Sequence, residues 1–206
     1  MYSSDDVDLI EKKTLYKGFF SINGYKIRHK LFNGGYSPEF TRELFERGHA
    51  VAVLPYDPAT GEVVFVEQFR IGAYAAGAEP WMIEPVAGIV EEGETPEDVA
   101  RREAKEEAGI ELSSLRFVST YFVSPGGTSE TISLFVATTD AARAAGVHGL
   151  ACENEDIRVL KMRLDEALLK IDTGEICNAT TIIALLYLAA HKDEFRKPQN
   201  SRSDRP

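Results

Sequence analysis

Residues 88 to 110 read GIVEEGETPEDVARREAKEEAGI, and no other stretch restricts the local structure of this chain so tightly. Thr95 is placed as a helix N-cap, Pro96 at the first helical position, and Glu97 and Asp98 in the first turn. Asp98 completes a T-x-x-D capping box, and Gly109 is placed for the C-terminal cap. A helix is therefore expected between these caps, entered from a glycine-bearing loop at 88–93. On such a helix Glu103, Glu106 and Glu107 fall within an arc of about 100°. Ala100, Ala104 and Ala108 form a neighbouring stripe at i, i+4, i+8, small enough to let the helix lie close to a sheet. Like charges at these spacings each cost roughly 0.2–0.5 kcal/mol on an exposed helix. Partly buried, they cost more or raise their pKa values. Arg102 can neutralise one carboxylate. A divalent cation would neutralise the rest, because hard cations take carboxylate oxygens and keep water or phosphate as further ligands.

The 206 residues fit one domain, or one with a small appendage, and 44% hydrophobic content is ample for a core. A formal charge of −10 argues against a nucleic-acid binder, which needs a basic face. Cys152 and Cys177 have no metal-like spacing and read as reduced thiols. The N-terminal residues carry no basic and apolar signal pattern, and the apolar run 182–190 is too short to span a bilayer. A cytoplasmic protein with no membrane partner is expected.

Residues 7–31 alternate in polarity and contain Ile22-Asn23-Gly24-Tyr25, which predicts a hairpin turn. Strands are expected at 49–56 and 62–70, joined by a turn at Asp57-Pro58-Ala59-Thr60-Gly61. An extended segment at 81–87 leads into the loop before the helix. Strands at about 115–122, 130–138 and 157–163 follow, with a loop at 139–155 and helices near 164–171 and 179–191. The order predicts an α+β fold, or a sheet between helices, rather than a doubly wound parallel sheet. Three segments are expected: an N-terminal β-element over 1–48, a main domain over 49–195, and a disordered tail over 196–206.

An E-x-x-E-E run on a helix is by itself more often a solvated face. Here it lies inside the full pattern G-x5-E-x7-R-E-U-x-E-E-x-G-U, where U is apolar, with Gly88, Glu94, Arg102, Glu103, Glu106, Glu107 and Gly109 all in place. Seven fixed residues at about 7% each coincide by chance in roughly one register in 10⁸. The pattern resembles the Nudix box without a departure. The resemblance implies an α/β/α sandwich, the Nudix fold, with a small N-terminal antiparallel sheet. It also implies hydrolysis of a nucleoside diphosphate linked to another moiety, with Mg²⁺, or Mn²⁺ in its place. Matched by position, it implies Glu103 and Glu107 as metal ligands, with the Ala87 carbonyl just before the box. Glu106 resembles a further ligand or an outer partner, and Arg102 the residue that holds the carboxylates. Gly88 and Gly109 would supply turn geometry, and Glu94 a structural contact. The chemistry implied is metal-assisted substitution at phosphorus, with a carboxylate as base.

From about residue 9 to about 191 the chain further resembles the bacterial ADP-ribose pyrophosphatase group. TLYKGFF, FERGHAVAVLPYDP, VEQFRIGAY, SPGGTSE and ENEDIRV carry this likeness. Pro125, about fifteen residues past the box, resembles the marker of ADP-ribose enzymes; taken alone it is a turn residue before Gly126-Gly127. By the same resemblance Glu153 is the expected catalytic base and Glu155 a metal ligand. Phe19, Phe20, Arg42, Glu43, Arg47 and Arg70 match an adenine and phosphate pocket, and Ile89, Ser124, Pro125, Gly126 and Glu130 line the remainder. The arginines suit a diphosphate on an otherwise acidic chain. A homodimer with a swapped N-terminal sheet is implied. Another nucleoside diphosphate sugar, NADH or a dinucleotide polyphosphate is the alternative substrate. A non-catalytic ADP-ribose sensor would carry a fused DNA-binding domain or a degraded box, and the box here is intact.

Overall fold

The computed structural model describes residues 2–150, 152 and 154–195, and the expected tail at 196–206 lies outside them. The chain divides into two compact units, one formed by residues 1–49 with 121–132, the other by 50–120 with 133–206.

The first unit is a three-stranded antiparallel sheet in the order β1 (Val7–Lys17), β2 (Ser21–His29), β3 (Phe40–Glu46). The expected turn at Ile22-Asn23-Gly24-Tyr25 is corrected here: those residues lie inside β2, and the chain reverses at Gly18-Phe19-Phe20, where the Gly18 N–H donates to the Phe20 carbonyl at 2.8 Å. The Asn-Gly pair serves cross-strand packing instead. Asn23 Oδ1 accepts from Thr14 Oγ1 at 3.0 Å. Leu15, the extra residue of a β-bulge in β1, covers Gly24, where a Cβ would come within 3.2 Å of the leucine side chain. β3 had no clear signal, because Phe40–Glu46 mixes charged and apolar residues without strict alternation. The loop 121–132 closes on β3. Phe45 N–H donates to the Gly127 carbonyl at 2.8 Å, and Phe45 bridges Thr128.

The second unit is built on an eight-stranded sheet. Its main path is β10 (Val147–His148), β11 (Ile157–Arg163), β5 (Glu62–Phe69), β4 (Ala50–Asp57), β9 (Thr131–Thr138), β8 (Ser114–Phe122). β6 (Trp81–Glu84) pairs with β5, and β7 (Val86–Ile89) with β4. The turn between β4 and β5 forms as expected. Asp57 Oδ1 accepts from the Ala59 N–H at 2.8 Å, and Gly61 takes φ +75°. A short helix, α1 (Ile71–Ala75), went unforeseen because it is a little over one turn long. The box helix is α2 (Pro96–Ala108), followed by α3 (Leu164–Asp172) and α4 (Ala179–Phe195).

The period of two along β4 separates the layers. Val51 and Val53 join Val64, Val66, Ile157 and Val159 in one apolar cluster with Ala100, Ala104 and Ala108 of α2. From the other side of β4, Tyr56 meets Phe195 of α4 edge-on at 6.3 Å. Helices thus cover both faces of the sheet, and the second unit is an α/β/α sandwich in an α+β chain. Burying each large aliphatic side chain contributes roughly 1.5–3 kcal/mol. The three alanines contribute little area, but bring the α2 backbone close to the strands. Among the described residues no helix is long and apolar enough to cross a membrane.

Candidate functional site

The box helix forms as its caps require. Thr95 Oγ1 accepts from the Asp98 N–H at 3.2 Å and donates to Asp98 Oδ2 at 2.6 Å, so the aspartate binds the cap hydroxyl. At the other end Gly109 takes φ +64°, and its N–H donates to the Lys105 carbonyl at 3.2 Å.

From this helix one arginine organises three carboxylates. Arg102 Nε donates to Glu94 Oε1 at 3.0 Å and Nη2 to Glu94 Oε2 at 3.3 Å. Its Nη1 donates to Glu103 Oε1 at 2.8 Å and to Glu106 Oε2 at 3.1 Å. Glu107 lies deeper, 3% exposed, and its Oε2 accepts the Ala87 N–H at 3.1 Å. Glu94 is held below the usual carboxylate range, first by its bond to Arg102 and then by the Glu91 N–H. Glu94 also raises the pKa of Arg102, which stays charged.

Glu103 and Glu107 are shifted the other way. Burial pushes Glu103 up; Arg102 opposes this, and Glu106 and Glu155 add to it. Burial pushes Glu107 up to about 8, against the Ala87 N–H, and the charges of Glu103 and Glu155 add to the rise while Arg70 opposes it. Glu155 is thus within electrostatic reach of both α2 carboxylates. Its own Oε2 accepts the Leu150 N–H at 3.1 Å.

Gly88 departs from the turn role expected of it. It lies within β7, paired with Val51, and its φ is not left-handed. What the position requires is space: a Cβ there would stand 1.8 Å from Glu103 Oε1 and 2.3 Å from Cδ. The strand backbone is the surface on which Glu103 rests.

Arg70 is tied to Glu84 by a 2.7 Å contact from Nε, and Ile89 is exposed at the end of β7. Glu84 was not foreseen; a lone carboxylate in the apolar run Trp81–Val86 was its signal. In the first unit the structure groups Phe19, Phe20, Arg47 and Glu130. The Phe19 and Phe20 rings meet at 4.7 Å, the Arg47 guanidinium lies 5.3 Å from the Phe20 ring centroid, and Arg47 Nε is 3.3 Å from Glu130 Oε1. Ser124, Pro125 and Gly126 form a tight turn in the same unit, closed by the Gly127 N–H on the Ser124 carbonyl at 3.0 Å. Arg42 and Glu43 stand on exposed positions of β3, Arg42 over the Phe40 ring at 4.5 Å. Glu153 lies outside the described residues.

Whether a divalent cation suits this place is a question of charge and donor type. Glu103, Glu107 and Glu155 are hard oxygen donors; burial raises the pKa of the first two and the neighbouring carboxylates add to the rise, with Arg102 bound to one oxygen of Glu103. A dication relieves that repulsion and takes oxygen ligands by preference. Among the described residues no three His, Cys, Asp or Glu side chains converge on a single point, and Arg102 holds Glu103 and Glu106. The donor set fits the ion. A cleft of about 420 Å³ lined by Glu67, Trp81, Val147, Asp156 and Arg158 contains none of the expected site residues.

The chain is 51% identical to the ADP-ribose pyrophosphatase of Escherichia coli (strain K12), over 95% of this chain and 93% of the relative. It is 35% identical to the GDP-mannose pyrophosphatase of Citrobacter koseri, over 90% of this chain and 96% of that one. A crystal structure of an ADP compounds hydrolase shares the fold, with a TM-score of 0.73 at 18% identity, covering 96% of this chain and 100% of that one. The NUDIX domain profile matches residues 46–182. Nudix hydrolases generally use divalent metal ions. With the box intact on α2 and its carboxylates gathered about Arg102, this chain belongs to the NUDIX domain family.

Proposed function

We propose that this enzyme hydrolyses the diphosphate of ADP-ribose to AMP and ribose 5-phosphate in the cytoplasm, with Mg²⁺ and with Mn²⁺ as a substitute. The observation that carries the reading is the seating of the box carboxylates: Glu107, 3% exposed, accepts the Ala87 N–H, and Glu103 rests on the Gly88 backbone while Arg102 holds it together with Glu106 and Glu94. The name of the E. coli relative, at 51% identity across nearly the whole chain, supports ADP-ribose.

Glu103, Glu107, Glu155 and the Ala87 carbonyl would hold the ion, with Glu106 at its margin. Bound there, it would offset charge on the diphosphate and acidify the attacking water. Arg102 keeps Glu103 and Glu106 oriented, and Glu94 holds Arg102 in turn. Arg42, Arg47 and Arg70 are assigned to substrate phosphate and base, with Phe19, Phe20, Glu43, Ile89, Ser124, Pro125, Gly126 and Glu130 as companions. Ring stacking and planar guanidinium forks suit a nucleotide. Glu153 is assigned as general base: Glu153→Gln is expected to lower kcat by at least about 10²-fold with Mn²⁺ affinity little changed. A near-normal rate would move that role to Glu106 or another carboxylate.

A second reading rests on the C. koseri relative, whose name points to GDP-mannose. Rates with ADP-ribose, GDP-mannose, NADH and a dinucleotide polyphosphate separate the two. The expected result is the highest kcat/KM for ADP-ribose, with AMP release that stops in EDTA. A preference for GDP-mannose or NADH would overturn the substrate assignment.

The N-terminal element at 1–48 is assigned to pairing with a second copy by strand exchange, and 49–195 to the hydrolase domain. Exposed apolar side chains in the first unit, among them Phe19 at 90% and Tyr16 at 64%, support this. Light scattering is expected to give twice the chain mass of 22.8 kDa, and a monomer mass would refute it.

A further inference from the structure

The C-terminal cap of α2 is occupied from outside the helix. A Cβ on Gly109 would lie 2.8 Å from Cε1 of His148, so glycine here provides room for the imidazole as well as a left-handed φ. The ring is itself fixed: Nε2 lies 2.9 Å from the Ala145 carbonyl oxygen, closing the turn before β10. That turn is anchored to the sheet, since the Val159 N–H donates to the Gly146 carbonyl at 3.0 Å and His148 pairs with Ile157. The alternation of β11 explains the placement. His148 opposes Ile157, which points into the α2 cluster, so the imidazole faces the box helix.

Directly after His148 the chain serves Glu155. Gly149 takes φ +101°, and a Cβ there would stand 2.7 Å from Glu155 Cβ. Leu150 then holds Glu155 twice: its N–H donates to Glu155 Oε2 at 3.1 Å, and its carbonyl accepts the Glu155 N–H at 3.3 Å. The C-terminal cap of the helix bearing Glu103 and Glu107 is thus linked through His148, Gly149 and Leu150 to Glu155, a carboxylate from another segment whose charge acts on both.

We propose that His148 is a positioning residue for Glu155, seating residues 148–150 on the C-cap of α2 so that the Leu150 N–H presents the Glu155 carboxylate to Glu103 and Glu107. This rests on the reading of Glu155 as a metal ligand. A ligand carried by a loop needs its supporting contacts held, and changes to such outer contacts typically cost 10–100-fold in metal affinity.

Titration of the full chain with Mn²⁺ alone, followed by electron paramagnetic resonance, tests it as a double-mutant cycle. His148→Ala is expected to weaken Mn²⁺ binding roughly 10-fold. In a Glu155→Gln background the same change is expected to have no further effect, because its route to the metal is already cut. Gly149→Ala, which strains φ and crowds Glu155, serves as a second variant with the same expected pattern should His148→Ala fold poorly. Wild-type affinity in a folded His148→Ala, wild-type affinity in Gly149→Ala, or a loss that persists in full without the Glu155 carboxylate, would overturn the proposal alone. If Glu155→Gln itself binds Mn²⁺ normally, the ligand assignment fails and the proposal with it; that single variant distinguishes the two failures.

Discussion

Replacing Glu107 by glutamine is expected to lower kcat by about 10³-fold or more and, in the same variant, to make the metal-free protein more stable at alkaline pH. The first effect follows from the proposed role of Glu107 as a charged ligand. Metal ions contribute several kcal/mol of charge stabilisation in such reactions, and each 1.36 kcal/mol is tenfold in rate. The second follows from burial, which pushes the Glu107 carboxyl up to about 8. A carboxyl whose pKa is raised on folding favours the fold while protonated. That contribution is complete below the ordinary pKa of about 4.3 and is lost as pH rises through 8. Glutamine cannot ionise, and its amide oxygen can still accept the Ala87 N–H. In EDTA the variant should therefore melt near the wild type at pH 5 and several degrees above it at pH 9. Each kcal/mol shifts the midpoint by about 2–4 °C in a chain of this size. Thermal melts at both pH values with and without Mg²⁺ check the sign, and Mg²⁺ should reverse the order at pH 9. Equal melting in EDTA at pH 9 would show that Glu107 carries no such penalty.

Gly88→Ala is expected to be nearly as damaging, through geometry rather than charge. The added methyl would sit 1.8 Å from Glu103 Oε1, so either β7 shifts or Glu103 leaves its place. Overpacking of this kind costs typically 1–3 kcal/mol. With Glu103 in its proposed role as a metal ligand, its displacement should cost at least about 10²-fold in kcat, since misplacements of about 1 Å have effects of that size. Adding Glu103→Ala should restore the melting temperature toward wild type while leaving activity lost. If the double variant melts no higher than Gly88→Ala alone, the clash is not the cause.

The helix was legible because its instructions are local: Thr95, Pro96 and Gly109 act within a turn of themselves, and the alanine stripe needs only the helical period. The turn at Asp57–Gly61 was legible for the same reason. The Asn23-Gly24 pair misled because glycine meets two needs, a left-handed φ or an absent Cβ, and one sequence does not say which. At Gly24 and at Gly88 the need is space for a side chain from elsewhere, Leu15 in one case and Glu103 in the other. His148 and Glu84 escaped notice because their partners, Gly109 and Arg70, lie far from them along the chain and become neighbours only when α2 packs on the sheet and β5 pairs with β6. The order of the carboxylates around Arg102 likewise depended on the fold: nothing in the run REAKEE distinguishes Glu107, almost fully buried, from Glu106, which shares a guanidinium nitrogen with Glu103.

Ala100, Ala104 and Ala108 act as spacers of fixed height. Because a methyl group has no rotamers, the separation between the α2 axis and β4 and β7 is set almost by backbone contact, with little side-chain play to absorb error. A larger residue at any of the three would lift the whole row of glutamates from the sheet together, as a lever lifts everything fixed to it.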